Sequence, residues 1–255
     1  MPLIYSRNEM IVVIVACYNE AGSLYSTLNE LASELGRIGE EFRIVIVDDG
    51  STDGSPEIYE RFAADHAGDV EAIRFDENRG VGAVFRAGLA RAAELVREPA
   101  DMVAIVEADG TNDLALLGRM RDEIRRGAGL VVASRHSKGS KVRGKGYRVV
   151  LSRVVNRYLR SKFRHLADIR EFSYFFKAVS ADALRRAYER YGERFITSGG
   201  FAASAELTIK LLASGVRAVE LPTEYLYQSG SSSKLRVWST IGEYLTLTRR
   251  LKREL

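Results

Sequence analysis

Three acidic side chains follow a short apolar segment near the middle of the chain. Residues 102–106 are Met-Val-Ala-Ile-Val, and Glu107, Asp109 and Asp113 come within the next seven positions. A short continuous apolar run is typical of a buried parallel strand, and open α/β sheets bind ligands beyond the carboxyl ends of such strands. Carboxylate oxygens are the preferred ligands of hard divalent cations, which commonly share their coordination shell with substrate phosphates. The segment therefore suggests a metal and nucleotide site, although a strand followed by an acidic turn and a helix cap explains it equally well.

Strand-like and helix-like patterns alternate on both sides of this segment. Apolar runs of strand length occur at residues 11–17, 42–47, 70–75, 102–106 and 130–134, and helical patterns separate them. This alternation predicts a doubly wound, mostly parallel α/β sheet flanked by helices. The connections between its parallel strands should be right-handed.

Four of the predicted strands end in polar residues that suit a ligand. These residues are Asn19 with Glu20, Asp48 with Asp49, Glu107 with Asp109, and Arg135. Because the carboxyl ends of parallel strands meet at one edge of a sheet, we expect these side chains to lie close together. Helix capping alone does not easily explain four such ends, so the sequence predicts a binding site at this edge.

The second half of the chain has a different pattern, but neither a proline-rich linker nor an internal repeat separates it from the first. A glycine-containing basic loop at 139–146 precedes a predicted helix at 147–163, and a strand is predicted at 172–179. We therefore predict one domain rather than two. This domain is predicted to span residues 1–235, with a nucleotide-binding half at about 10–135 and an acceptor half at about 136–235. A basic amphipathic helix is predicted to follow it at 236–255.

The bulk composition is that of an ordinary globular protein. The 255 residues are 46% hydrophobic and 28% charged, and Cys17 is the one cysteine, which excludes an internal disulfide. No apolar stretch reaches the roughly 20 residues that cross a bilayer, and the first ten residues lack the order of a signal peptide. We expect a protein that is cytoplasmic, and either soluble or peripheral on the cytoplasmic face of a membrane.

Positive charge is concentrated in one stretch of the chain. Between Glu123 and Asp168 there are thirteen lysines and arginines and no acidic residue, whereas the rest of the chain has 25 basic against 34 acidic residues. Such a local excess indicates contact with phosphates or with an anionic surface. A nucleic-acid partner is not expected, because this stretch has few interleaved aromatic residues for stacking on bases.

Five motifs stand in order at the predicted strand ends. They are Tyr18-Asn19-Glu20, residues 47–54 (VDDGSTDG), Asn78-x-Gly80-x-Gly82, Glu107-Ala108-Asp109 and Ala133-Ser134-Arg135. Together they resemble the GT-A glycosyltransferases of the large inverting family that includes dolichyl-phosphate mannosyltransferase. The resemblance covers residues 10–165 well and continues more loosely to about residue 240. It implies a GT-A fold and the transfer of a hexose from a nucleotide-diphosphate sugar of the GDP-mannose or UDP-glucose type.

The resemblance also implies where the sugar donor binds. Glu107 and Asp109 occupy the acidic positions of the DXD motif, which holds Mg²⁺ or Mn²⁺ against the diphosphate, and Thr111 can complete the metal shell. Tyr18 and Glu20 line the base and ribose pocket. The full set of residues expected to bind the donor is Tyr18, Glu20, Asp48, Asp49, Gly80, Glu107, Ala108 and Lys234.

In the polyprenyl-phosphate branch of the family an arginine and a serine hold the acceptor phosphate, and Arg148 and Ser152 match them. Asp168 matches the acid that follows the basic helix and is expected to help bind the acceptor. Catalysis is expected to depend on Asp109, on Arg135 at the donor phosphates, and on Glu206, which can orient the acceptor or the sugar. For Glu206 a helix-surface or capping role is an equally good interpretation.

Several positions depart from the family pattern. Ala16 stands before the first motif instead of the frequent proline, Glu107 replaces aspartate, and residues 169–172 (IREF) replace a small, glycine-containing segment. In the late loop, Gln228 stands where the family has arginine, while Lys234 remains able to reach a phosphate. Two alternatives to a polyprenyl-phosphate transferase therefore stay open: an enzyme with a soluble hydroxyl acceptor, and a nucleotide-sugar-binding protein without catalysis.

The last helix has both an apolar and a basic face. Trp238, Ile241, Leu245 and Leu251 recur at helical spacing, and basic residues cluster at 249–253. Such a helix can lie on an anionic membrane surface. Packing against the sheet, or against a second copy of the chain, explains the pattern equally well.

Overall fold

The structure, a computed structural model, describes residues 9–143, 147–226 and 237–255. Its strands are β1 (Met10–Cys17), β2 (Glu41–Asp48), β3 (Val70–Arg74), β4 (Met102–Glu107), β5 (Leu130–Ser134), β6 (Lys141–Arg143), β7 (Lys177–Ser180), β8 (Ala218–Pro222) and β9 (Glu224–Leu226). Its α-helices are α1 (Leu24–Ile38), α2 (Ser55–Asp65), α3 (Val81–Leu95), α4 (Leu116–Arg125), α5 (Tyr147–Phe163), α6 (Ala181–Tyr191), α7 (Ala202–Ala213) and α8 (Val237–Glu254). A short 3₁₀ helix (Gly192–Phe195) follows α6.

Seven of the strands form one sheet in the order β3-β2-β1-β4-β7-β5-β8. All neighbouring pairs are parallel except those of β7, which runs antiparallel between β4 and β5. Strands β6 and β9 form a separate parallel pair. The prediction of a mostly parallel α/β sheet flanked by helices is confirmed, and β7 is the exception.

The apolar runs of the central strands are continuous because helices cover both faces of the sheet. On β1, Val12 and Ile14 belong to one core cluster, which includes Leu89 of α3. Val13 and Val15 belong to the cluster on the other face, which includes the leucines of α1. Since successive side chains of a strand point to opposite faces, a strand covered on both sides has no polar position until it ends. The polar residues are therefore confined to the strand ends.

The antiparallel strand β7 is shorter than the predicted strand at 172–179. Regular pairing begins only at Lys177. The residues before Lys177 form a turn instead of a strand, because the buried carboxylate of Glu171 accepts hydrogen bonds from the backbone N–H groups of Ser173 (3.2 Å) and Tyr174 (3.1 Å). Because β7 runs backwards, its amino end lies at the edge of the sheet where the parallel strands have their carboxyl ends.

The terminal helix α8 packs on the body of the protein. Tyr244, Leu247 and Leu251 are buried in the same core cluster as α3 and α7, whereas Leu245 is 38% exposed. Between residues 240 and 251 the helix therefore packs against the domain through Tyr244, Leu247 and Leu251, and Leu245 of the predicted apolar stripe lies outside this buried face. No helix within the described ranges is both long enough and apolar enough to span a membrane.

Candidate active site

The loops after β1 and β2 are locked together by hydrogen bonds. The N–H of Asn19 donates to Oγ of Ser51 at 2.9 Å, and Oδ1 of Asn19 accepts from the N–H of Thr52 at 2.8 Å. Oγ of Ser55 accepts from the N–H of Glu20 at 3.0 Å. Asn19 has a positive φ of 54°, which asparagine tolerates better than most residues. These bonds hold Tyr18 and Glu20 at the edge of a cavity that both residues line.

The two adjacent acids after β2 have different positions. Asp48 is fully buried, and its carboxylate accepts hydrogen bonds from the N–H (2.9 Å) and hydroxyl (2.5 Å) of Ser51 and from the hydroxyl of Tyr59 (3.2 Å). Asp49 lines the cavity. The oxygens of Asp48 thus build the turn beneath the site, and Asp49 is the acid that faces the cavity. A nucleotide contact of Asp48 stays a prediction.

Asp49 also fixes the loop before α3. Its carboxylate accepts hydrogen bonds from the backbone N–H groups of Arg79 (2.7 Å) and Gly80 (3.1 Å to the nearer oxygen). Burial raises the pKa of Asp49, and these N–H groups oppose the shift. Gly82, two residues further on, donates its N–H to the carbonyl oxygen of Gly199 at 2.9 Å. An added Cβ at Gly82 would lie 1.8 Å from the carbonyl oxygen of Ser198, so only glycine permits this approach.

The two acids after β4 lie together at the cavity. Glu107 and Asp109 both line it, with Ala108 between them. Burial and the neighbouring charge of Asp109 raise the pKa of Glu107 to about 8, although Arg135 opposes the shift. Oδ1 of Asp109 accepts hydrogen bonds from the N–H (3.0 Å) and hydroxyl (2.7 Å) of Thr111. Two carboxylates that repel one another in a desolvated place are stabilised by a bound cation.

The residues present fit a divalent cation of the Mg²⁺ or Mn²⁺ type. No group of three or more histidine, cysteine, aspartate or glutamate side chains that could hold a metal occurs in the described part of the chain. A complete protein cage is not required, however, because Mg²⁺ usually keeps several waters and is bound by one or two carboxylates together with substrate phosphates. Glu107 and Asp109 would supply those carboxylates, and the hydroxyl of Thr111 orients Asp109.

Arg135, at the end of β5, is held on three sides. Its guanidinium donates hydrogen bonds of 3.0 Å to each carboxylate oxygen of Glu171 and a longer one of 3.4 Å to Oγ of Ser173. The rings of Tyr174 and Tyr225 lie 4.5 Å and 5.4 Å from the guanidinium carbon, within the range of cation–π contacts. Arg135, together with His136 and Asn156, lowers the pKa of Glu171 to about 2 despite complete burial. The guanidinium is thus oriented before any ligand binds.

The acceptor residues predicted from the sequence are only partly brought together. Ser152 of α5 lies with its Oγ 3.3 Å from Nε2 of His136, which directly follows Arg135 in the chain. Asp168 is exposed and pairs with Arg160 at 2.6 Å, so it is a surface residue and does not join Ser152. Arg148 belongs to the first turn of α5, and Lys234 lies outside the described residues.

Glu206 is buried beneath the site. Its carboxylate accepts hydrogen bonds from Thr197 and Ser198, including the two backbone N–H groups at 3.0 Å and 2.7 Å. It also pairs with Lys210 and Arg250, each at 2.8 Å. These contacts lower its pKa although burial opposes them. In this position Glu206 holds the loop against which Gly82 packs, and a catalytic role for Glu206 stays a prediction.

The ends of β1, β2 and β4 line a cavity of about 620 Å³, whereas Arg135, after β5, is not one of its lining residues. It is lined on one side by residues expected from the sequence, among them Tyr18, Glu20 and Asp49. Its other side is lined by residues that sequence reasoning missed: Phe175, Gly200, Phe201 and Glu243. Phe175 precedes an antiparallel strand and Glu243 lies on a terminal helix, and neither position carries a motif. Only the sequence IREF at residues 169–172, which replaces the family's small, glycine-containing segment, indicated in the sequence that this region is unusual.

The comparisons with known proteins agree with this geometry. The sequence profile of the family described as "Glycosyl transferase family 2" matches residues 12–192, which is more than half of the chain. The chain belongs to glycosyl transferase family 2. The predicted GT-A resemblance and the prediction of a glycosyltransferase are thereby confirmed.

Two relatives are similar over most of this family 2 chain. The polyprenol monophosphomannose synthase of Mycolicibacterium smegmatis is 25% identical over 92% of this chain and 84% of its own length. The dolichol-phosphate mannosyltransferase of Pyrococcus furiosus is 28% identical over 91% of this chain, which spans 61% of that protein.

Solved structures share the fold. Glucosyl-3-phosphoglycerate synthase from Mycobacterium tuberculosis, in complex with UDP, superposes with a TM-score of 0.60 at 15% identity, over 94% of this chain and 80% of its own. The mannosyltransferase PcManGT from Pyrobaculum calidifontis, in complex with GDP-Man and Mn²⁺, gives a TM-score of 0.60 at 19% identity, over 97% of this chain and 65% of its own. At these identities the likeness concerns the GT-A fold alone.

Proposed function

We propose that this family 2 protein transfers a hexose from a nucleotide-diphosphate sugar to polyprenyl phosphate, with a divalent cation and inversion at the sugar carbon. The observation that carries the proposal is the arrangement at the end of β5. There Arg135 lies close enough to Glu107, which lines the cavity with Asp109, to oppose the rise of the Glu107 pKa, and the next residue, His136, contacts Ser152 of the basic helix α5. The names of the relatives that align over most of the chain support the same acceptor class.

The donor diphosphate would lie at the end of β4. A cation held by Glu107 and Asp109 supplies charge neutralisation for the departing diphosphate. Arg135 faces the same developing charge with its orientation already fixed by Glu171 and by the two tyrosine rings. Preorganised charges of this kind need no rearrangement during the reaction.

The acceptor would supply its own nucleophile. A phosphate monoester has a second pKa near 6 and is largely a dianion at neutral pH, so its oxygen can attack the sugar carbon without a general base. The new bond between that oxygen and the sugar carbon forms as the bond to the nucleoside diphosphate breaks. This agrees with the contacts of Glu206, whose carboxylate is buried and paired with Lys210 and Arg250.

Helix α5 would also bring the protein to a membrane surface. Val150 and Val154 are each 59% exposed and lie one helical turn apart, with exposed Arg153 and Arg157 beside them. Exposed apolar side chains flanked by positive charge suit the surface of an anionic bilayer, which is where a polyprenyl phosphate presents its head group. Ser152 lies on the same helix, so the membrane contact and the acceptor site would be continuous.

A transfer assay with defined acceptors tests the proposal. The protein is incubated with Mn²⁺ or Mg²⁺, GDP-mannose or UDP-glucose, and either polyprenyl phosphate or the matching polyprenol, and the lipid is analysed by mass spectrometry. We expect a hexosylated lipid only with the phosphate. Tight binding of nucleotide sugar without lipid product from any donor would overturn the proposal, and transfer to a soluble alcohol would establish the alternative acceptor class.

Two serine variants on α5 add a matched control. Ser152→Ala removes the hydroxyl beside His136, whereas Ser161→Ala removes an exposed hydroxyl that donates to the carbonyl oxygen of Tyr158. We expect the first change alone to raise the KM for polyprenyl phosphate, with the Kd for the donor unchanged. Equal effects of the two variants would contradict an acceptor site at Ser152.

A further inference from the structure

Glu243 lines the cavity, but the proposed transfer of the hexose to polyprenyl phosphate gives this acid no role. Within the described parts of the chain, five carboxylates line the cavity: Glu20, Asp49, Glu107, Asp109 and Glu243. The carboxylate of Asp49 accepts hydrogen bonds from backbone N–H groups. Glu107 and Asp109 are the acids that suit the cation. Glu20 belongs to the loop that is expected to contact the ribose. Glu243 comes from a different part of the fold, the terminal helix α8.

The backbone before α7 is shaped to admit this side chain. An added Cβ at Gly200 would lie 2.5 Å from both carboxylate oxygens of Glu243, so this glycine leaves the space that the carboxylate fills. The N–H of Ala202, in the first turn of α7, donates to Oε2 of Glu243 at 3.3 Å. A carboxylate has about four acceptor positions, and among the described residues this long hydrogen bond is the one that Glu243 accepts, which leaves room for more.

Aromatic side chains lie beside the carboxylate. Phe201 follows Gly200 directly, and its ring centroid is 6.1 Å from that of Phe175, which also lines the cavity. Val81 and Val84 of α3 add further apolar surface to the same cavity. A hexose presents hydroxyl groups at its rim and C–H bonds on its faces. Apolar rings beside a convergent carboxylate therefore suit a sugar.

The charge of Glu243 excludes the phosphate groups of both substrates as its partners. A phosphate group would be repelled by a carboxylate, whether it belonged to the donor or to the acceptor. A hydroxyl group, by contrast, donates a strong hydrogen bond to an ionised acceptor.

We propose that Glu243 accepts hydrogen bonds from hydroxyl groups of the donor hexose and thereby selects which sugar is transferred. This inference rests on the proposed function only in taking a nucleotide-diphosphate hexose as the ligand of the cavity. It makes Glu243 a specificity-determining residue. A donor without the bonded hydroxyl would leave the carboxylate partly desolvated and unpaired, which is how polar sites reject analogues.

Binding measurements test the inference without relying on turnover. The Kd values of UDP, UDP-glucose, GDP and GDP-mannose are measured by titration calorimetry with Mn²⁺ for the wild type, Glu243→Ala and Glu243→Gln. The matched control is Glu254→Gln, which removes an acid of the same helix that pairs with Lys210 at 3.5 Å and Arg250 at 3.7 Å. We expect Glu243→Ala to weaken binding of the preferred nucleotide sugar about 10- to 100-fold, as for hydrogen bonds to charged groups, and to leave the nucleoside diphosphate unchanged.

Deoxy analogues of the donor locate the hydroxyl group. The donors compared lack the hydroxyl group at carbon 2, 3, 4 or 6 of the hexose. The wild type should bind one of these deoxy donors as weakly as Glu243→Ala binds the full donor. Glu243→Ala should bind that deoxy donor and the full donor with equal affinity. Gly200→Ala, whose Cβ must displace the carboxylate, should reproduce the loss for the nucleotide sugar. Equal affinity of wild type and Glu243→Ala for every nucleotide sugar, or a parallel loss for nucleoside diphosphate and nucleotide sugar, would overturn the inference.

Failure of this inference can be distinguished from failure of the proposed function. Sugar-dependent binding that requires Glu243, without any lipid product, would refute the polyprenyl-phosphate acceptor and leave the role of Glu243 intact. Formation of the lipid product with the same donor preference in the wild type and in Glu243→Gln would support the polyprenyl-phosphate acceptor and refute the role of Glu243.

Discussion

The guanidinium of Arg135 and the carboxylate of Glu171 are joined by two parallel hydrogen bonds of 3.0 Å, and Glu171 is completely buried. Arg135 directly follows the parallel strand β5, whereas Glu171 precedes the antiparallel strand β7, so the pair links the two halves of the chain at the site. The bidentate geometry fixes the plane of the guanidinium. The same carboxylate holds Asn156 of α5 at 2.9 Å, so it connects the predicted donor and acceptor sides.

Replacing Glu171 by glutamine should make the protein less stable near neutral pH and less sensitive to acid. Breaking a buried ion pair costs about 3–5 kcal/mol, and Arg135 would lose its paired charge. Because the pKa of Glu171 is lowered from 4.5 to about 2, its stabilising effect is present above pH 4.5 and is lost as the pH falls towards 2. Denaturant unfolding of wild type and Glu171→Gln over this range checks the prediction. The difference between them should shrink as the pH falls, and a constant difference would contradict it.

Glu206→Gln should affect stability rather than base catalysis. The change weakens contacts to Lys210, which is fully buried, and to Arg250, and it loosens the loop at Thr197 and Ser198. We expect a lowered melting temperature and a reduced kcat/KM whose pH profile keeps the shape of the wild type. An unchanged melting temperature with abolished turnover would instead identify Glu206 as a general base.

Gly82→Ala should separate α3 from the loop before α7. Its Cβ would meet the carbonyl oxygen of Ser198 at 1.8 Å, and overpacking of this kind costs about 1–3 kcal/mol or more. The matched control is Gly36→Ala in α1, where the added Cβ has no atom within 4 Å and helix propensity predicts a gain of about 0.5–1 kcal/mol. Denaturant unfolding and the Kd for nucleotide measure both effects. A Gly82→Ala protein as stable as Gly36→Ala would refute the close approach.

Exposed valines of α5 should mediate attachment to anionic membranes. We expect Val150→Asp with Val154→Asp to reduce flotation with phosphatidylglycerol vesicles, because the change removes apolar contact and adds negative charge. Tyr25→Asp is the control, since Tyr25 is 62% exposed on α1. Binding should also weaken with salt. Equal flotation of the double variant and the control would place the membrane contact elsewhere.

The strand ends of the first half could be predicted because they depend on local pattern. Apolar runs covered on both faces end in polar residues, and parallel strands bring those ends to one edge. The assignment within Asp48-Asp49 could have been refined by alternation. Asp48 shares the face of Ile46, which packs in the cluster that contains Tyr59, so its side chain points inward, and Asp49 follows beyond the strand.

The other wall of the cavity depends on long-range topology. Nothing local in the sequence indicates that residues 171–175 precede an antiparallel strand inserted between β4 and β5. Glu206 and Glu243 are both acids on helices, and sequence pattern alone does not distinguish the buried one from the one at the cavity. Their difference arises from the packing of α7 against α8, where Arg250 reaches Glu206 and Gly200 makes room for Glu243.

The most direct test is metal-dependent transfer by Asp109→Ala compared with Asp113→Asn, measured as hexosylated polyprenyl phosphate by mass spectrometry over a Mn²⁺ titration. Asp109 lines the cavity, whereas Asp113, four residues on, accepts a hydrogen bond from the N–H of Glu224 at 3.3 Å. The wild type and Asp113→Asn should form product in a Mn²⁺-dependent manner, and Asp109→Ala should form none while melting as the wild type does. Product formed by a folded Asp109→Ala with the same Mn²⁺ dependence as the wild type would contradict a cation site at Glu107 and Asp109.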